Sequence, residues 1–332
     1  MALKGFLPAM ACVLAASCAV GPNFQRPAAP EVSRYTPAPL ETTVSTSDVA
    51  GGEAQRFTSG ADISADWWTL FHSQPLNDLI DLALKNSHDL KAAQAALSAA
   101  RETTRAQRGA FLPNISAGFS ASRTVQSAAL APTPGDNSLD YSLYTPQVTV
   151  TYTPDIFGLT RRTVESAKAQ EQVARYQMIA AYITLTSNVT AAAIQDASIH
   201  AQIDANRQLI DINDKMVEIL KLQLDKGYAN RLDLAAQEAQ LAQTQSALPP
   251  LLKQSQQQDN LLAVLTGRFP GQAPPATFEL SDLTLPRDLP VSLPSALVAQ
   301  RPDVLAAEAG MHAASAQIGV ATANRLPNIV LT

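Results

Sequence analysis

Cys18 is the residue whose surroundings point most directly to chemistry. Lys4, an apolar run from Gly5 to Ala16 and the small residues Ala15-Ala16-Ser17 precede it, the layout of a secretory signal with its cleavage site. A thiol placed directly after such a site resembles a bacterial lipobox, in which the cysteine carries diacylglycerol and becomes the mature N-terminus. The usual box has Leu three residues before the cysteine; here Ala15 stands there and Leu14 lies one place earlier. The other cysteine, Cys12, leaves with the signal, so mature Cys18 has no disulfide partner in the chain. One acyl chain anchors weakly, so stable attachment calls for a second membrane contact.

The remaining reactive side chains form no catalytic set. His72, His88, His200 and His312 are scattered along the chain. Glu308 and His312 stand four apart on a helical stretch and face one way, but two ligands are too few to hold a metal. An ion-paired histidine is the expectation there. Gly-rich phosphate loops, nucleophile elbows and Cys/His clusters are all missing, so neither an enzyme nor a cofactor is expected. The 24 basic and 29 acidic residues are interspersed and sum to −5, with no basic patch among aromatics, which argues against nucleic acid. After the N-terminus no run of 18 or more apolar residues occurs, so no transmembrane helix is expected.

Long helices and a hairpin are what the pattern does contain. Asp89 to Ala110 carries no Pro and only Gly109 near its end, and Pro113 then forbids continuation. The period changes to two: Ile115, Ala117, Phe119 and Ala121 alternate with Ser116, Gly118, Ser120 and Ser122. Thr124 to Asp140 reads as a loop. Val148, Val150 and Tyr152 then alternate with Gln147, Thr149, Thr151 and Thr153. Two such strands, apolar on one face and small-polar on the other, match a transmembrane β-hairpin. An ordinary sheet on a core is the other reading, but no further strands are legible nearby.

Between Gly158 and Gly227 there is neither Gly nor Pro, so Leu159 to Lys226 reads as one helix of about 100 Å. Its scattered charges place it in water. Ile199, Ile203, Ile210, Val217, Leu220 and Leu224 fit a heptad seam with Asn206 and Asn213 in its gaps. Leu209, Ile212, Met216 and Ile219 form a second seam beside it. Adjoining seams let a helix touch neighbours on both sides, as a stave in a cylinder must; a simple antiparallel bundle explains the seams equally well. Asn230 or Asp233 can cap a return helix that runs to Thr266, with Pro249-Pro250 marking a bend or restart.

A repeat organises the whole. Shifted by 214 positions, residues 86–115 fall on residues 300–329, and Leu112-Pro-Asn-Ile115 meets Leu326-Pro-Asn-Ile329. The expected layout is a signal peptide at 1–17, a lipid-anchored tether at 18–60 and a first repeat at 61–268. Within that repeat come a short helix, a long helix, a hairpin near 115–153, a helix near 159–226 and a return helix near 231–266. A Pro-rich connector spans 269–294, and 295–332 opens a second repeat that is cut short, with roughly 130 further residues expected.

Several segments, taken together, resemble the outer-membrane efflux proteins of the TolC type, in the lipoprotein branch that works with resistance-nodulation-division pumps. They are Cys18-Ala-Val-Gly-Pro-Asn-Phe-Gln-Arg-Pro27, Trp67-Trp68 with Phe71, Pro75 and Leu76, and Tyr152-Thr-Pro-Asp-Ile-Phe-Gly158. Leu232-Asp233-Leu234 with Gln237 to Ala242, Leu265-Thr-Gly-Arg268 and Arg301-Pro302-Asp303-Val304 complete the set. The resemblance implies a mostly helical chain with a small β part, forming a homotrimer. Each subunit would give four strands to a twelve-stranded barrel, continued by a helical periplasmic tunnel. It implies passive conduction of small molecules, partnered by an inner-membrane pump and a periplasmic adaptor, with the anchor in outer-membrane lipid. The turn Gly227-Tyr228-Ala229-Asn230-Arg231 matches the tip that faces the adaptor, although the family more often has Val-Ser where Ala229-Asn230 stand. A protein-secretion channel and a periplasmic coiled-coil adaptor are the competing readings; the adaptor would lack the alternating strands.

Overall fold

The computed structural model describes residues 19–28, 31, 36, 41–46, 51–61, 63–125, 140–271, 279–292 and 294–332. The expected signal peptide, Cys18 and the body of the loop between the hairpin strands lie outside them. The chain divides into two compact units, one built from residues 1–27, 97–174 and 306–332, the other from 28–96 and 175–305.

The first unit holds a hairpin and three helical segments. Strands β2 (Asn114–Val125) and β3 (Asp140–Thr151) pair antiparallel from Asn114↔Thr151 to Val125↔Asp140. They overrun the expected loop by two residues at its start and one at its end. Helix α2 (His88–Gly109) precedes them and α3 (Leu159–Asp225) follows, one continuous helix of 67 residues ending one residue short of the expected Lys226. Helix α6 (Pro302–Ala323) matches α2 end for end under the 214-residue shift. In this unit Thr104 on α2 donates to the Ala167 carbonyl of α3, and Ser166 on α3 donates to the Ala313 carbonyl of α6. Small buried residues Ala313, Ala316, Gly319 and Ala323 let α6 approach closely.

The second unit is built on α1 (Gln74–Asn86), the rest of α3 and the return helix α4 (Arg231–Leu265). Trp68, from a 3-10 turn at Trp67–Phe71, packs with Leu76, Leu79, Ile80 and Ala83 of α1, Val189 to Ala197 of α3 and Leu262 of α4. Farther along, α3 and α4 form an antiparallel pair. Ile199, Ile203 and Val217 are buried and Ile210, Leu220 and Leu224 half-buried, as the first seam requires. Leu234, Leu241, Thr244, Leu248, Leu251 and Ser255 answer from α4 at heptad spacing. A short helix α5 (Pro294–Gln300) precedes α6.

Three expectations need correction. Helix α4 runs through Pro249 and Pro250 without a break. The carbonyls freed by the two missing amides belong to Gln245 and Ser246, both exposed, so water can satisfy them while Leu248 and Leu251 hold the seam. The stretch 18–60 is not simply a tether. In the first unit the buried Arg162 side chain donates to the carbonyls of Val20 and Gly21 and to Asn23 Oδ1, and Phe24 stacks on His312 at 4.7 Å. In the second, strand β1 (Arg56–Ser59) pairs in parallel with β4 (Asp288–Val291), supported by an Arg56–Asp288 ion pair of 2.8 Å. The connector 269–294 therefore also carries structure.

Candidate functional site: a two-faced hairpin and a helical tip

Directly opposed residues of an antiparallel pair share a face, so the register sorts the hairpin into two surfaces. Ile115↔Val150, Ala117↔Val148, Phe119↔Pro146 and Ala121↔Tyr144 make four apolar rows, with Phe119 and Tyr144 stacked at 6.4 Å. Ser116↔Thr149, Gly118↔Gln147 and Ser120↔Thr145 make the opposite face small and polar. The apolar rows end at a bidentate ion pair between Arg123 and Asp140, at 2.9 and 2.6 Å. Every residue of β2 is exposed, Ile115 and Phe119 each at 69%, and Val148 opposite on β3 is 71% exposed.

Among the described residues no protein core covers this apolar face. A strand of twelve residues is about 40 Å long, and tilted by about 45° it spans a bilayer's hydrocarbon core. The strand edges need partners as well, because an unpaired amide in hydrocarbon costs several kcal/mol. Just past β3, Tyr152 and Leu331 form an isolated antiparallel bridge, exchanging backbone hydrogen bonds of 2.9 and 2.8 Å. Among the described residues no helix is long and apolar enough to cross a membrane, which says nothing against a barrel.

The turn between α3 and α4 is tightly specified. Gly227 takes φ +79, Tyr228 N–H donates to the Gln223 carbonyl and Gly227 N–H to the Leu224 carbonyl, a Schellman closure of α3. Asn230 is the N-cap of α4: its side chain accepts from Asp233 N–H, and Asp233 accepts from Asn230 N–H. This decides between the two expected caps, with Asp233 three residues inside. Tyr228 at 85% and Leu232 at 77% exposure stand out from the tip, with Arg231 also exposed and Ala229 half-buried.

On α3 the second seam, Leu209, Ile212, Met216 and Ile219, is 47–57% exposed in the single chain. The seam asparagines are bonded across the pair. Asn206 donates to the Thr244 carbonyl, while Asn213 donates to Thr244 Oγ1 and accepts from Gln237. Such polar contacts fix the register of α3 against α4.

His312 Nε2 lies 2.9 Å from Glu165 Oε1 and Glu308 pairs with Arg26, so the acid that His312 meets is Glu165 and not Glu308. Burial raises the Glu165 pKa, but hydrogen bonds from His312 and Arg162 outweigh it and hold the carboxyl below its ordinary value. Asn23, Glu165 and His312 lie more than a hundred residues apart, so no local sequence pattern marks this cluster.

The uncovered hairpin face and the long paired helices define the chain as an outer-membrane channel type of fold. Residues 79–268 match the family model of the outer membrane efflux protein, and the chain belongs to that family. It is 31% identical over 272 residues to the pyoverdine export outer membrane protein OpmQ of Pseudomonas putida, covering 80% of this chain and 57% of the relative. It is 28% identical to the outer membrane protein OprJ of Pseudomonas aeruginosa, covering 95% and 63%. Among solved structures, the outer-membrane channel OprN superposes with a TM-score of 0.78 at 23% identity, over 94% of this chain and 66% of that one. The outer membrane protein VceC of Vibrio cholerae gives 0.71 at 26% identity, over 81% and 64%. The chain thus spans about three-fifths of the length of these relatives.

Proposed function

We propose that this chain is part of the outer-membrane channel of a tripartite efflux system, conducting small molecules passively from periplasm to exterior. The single observation that carries the reading is the hairpin. Its four apolar rows have no core among the described residues to cover them, and its strands are long enough to cross a bilayer. The exposed second seam of α3 supports a trimer, in which it would lie against a neighbouring subunit. The turn Gly227 to Arg231, with Tyr228 and Leu232 outermost, is the surface offered to a periplasmic adaptor, and an inner-membrane pump supplies the energy. Diacylglycerol on Cys18 would add the second membrane contact.

Deleting the gene in its own host and following retention of a fluorescent pump substrate tests the reading. Retention should rise, and further deletion of the pump that co-purifies from native membranes should add nothing. Unchanged retention, or co-purification without any pump or adaptor, would overturn it.

A further inference from the structure

Asp196 and His200 stand one turn apart on α3, and α4 brings Asp259 beside them. One ligand atom from each of the three lies within 4.8 Å of the others. The Asp196 carboxylate is only 3% exposed, yet its Oδ1 accepts no hydrogen bond, and neither does the buried His200 Nε2 that faces it find a partner. The two atoms are 3.6 Å apart, too far for a hydrogen bond. Two ligands bound at about 2.0 Å to a tetrahedral zinc ion stand about 3.3 Å apart, so the pair already has nearly that spacing. The second carboxylate sharpens the case. A buried, undonated carboxylate beside another is unfavourable without a cation to share.

We propose that Asp196, His200 and Asp259 bind one divalent first-row transition-metal ion, with zinc the type that fits. One imidazole and two carboxylates suit such an ion, and water would complete a tetrahedral shell. The site joins α3 to α4 beside Ala197 and Leu262 of the core cluster, where a bound ion would pin the register of the two helices. Its role is structural, and it stands independently of the channel reading.

The test uses the full untagged chain, stripped with a chelator and titrated with zinc chloride by calorimetry and thermal melting. One zinc per chain should bind and raise the melting temperature. Asp259→Asn and His200→Gln should each lower the affinity by at least about tenfold, while His88→Gln leaves it unchanged. The Asn substitution is isosteric and removes like-charge repulsion, so its melting temperature in chelator should not fall. Cobalt(II) should give the visible absorption of a tetrahedral ion in the parent and lose it in both variants. Absence of zinc binding in the parent, or binding of equal affinity in both variants, would overturn the proposal.

Discussion

Gly21 and Gly319 meet backbone to backbone: a β-carbon on Gly21 would overlap the Cα of Gly319. Gly21 also holds φ +94, a conformation that side chains other than glycine's rarely adopt. This contact seats the N-terminal segment within the first unit, where Arg162 then binds its carbonyls. Gly21→Ala should therefore cost about 1–3 kcal/mol and expose residues 19–26 to proteolysis. Gly109→Ala is the contrast, because nothing lies within 4 Å of the added carbon and the site is helical. It should stabilise by about 0.5–1 kcal/mol. Thermal melts with limited proteolysis distinguish the two.

Glu165 has a depressed pKa in the folded chain, so its contribution is fully present above the unfolded value of about 4.3. It is lost as pH falls through the folded value. Glu165→Gln should destabilise by about 1–3 kcal/mol at neutral pH, and the difference should vanish toward strong acid. Melting parent and variant across that range checks the sign. A gap that widens on acidification would contradict the assignment.

Val217 and Met216 are neighbours in sequence with opposite surroundings, 3% and 47% exposed. Val217→Asp puts a charge into the α3–α4 seam and should cost several kcal/mol. Met216→Asp should change the single chain's stability by no more than about 0.5 kcal/mol but prevent the proposed trimer from forming. Chemical denaturation and sedimentation separate the two effects.

Asn230→Ala removes the capping box of α4 and should cost about 1 kcal/mol. Tyr228→Ala touches only an exposed ring, so stability should hold while binding of the co-purifying adaptor weakens. Equal adaptor binding by Tyr228→Ala and parent would remove the tip from the interface.

Elements whose cause is local were legible in the sequence. The period-two runs around Phe119 and Val148 located both strands, and the Gly-free interval before Gly227 located α3 nearly to the residue. The heptad seam through Ile203 and Val217 is buried as its spacing demanded. Features made by distant segments were not legible. Arg56 and Asp288 pair across more than two hundred residues, in strands of four residues with no periodic signal. Pro249-Pro250 looked like a break, because exposure of the freed carbonyls depends on which side of α4 faces α3. Asp196 and His200 show helical spacing, but Asp259 joins them only once the register of the return helix is set.

In the proposed channel the apolar face of the β2–β3 hairpin meets lipid while its polar face meets water. Spin labels on single cysteines at Phe119 and Val148, and at Ser120 and Thr145, test it in native outer membranes. At the first two sites relaxation should respond to oxygen, which concentrates in hydrocarbon, and hardly to a water-soluble nickel complex. At the other two sites the preference should reverse. Equal response to nickel at all four positions would show that no face of the hairpin lies in the bilayer, and the channel reading would fall with it.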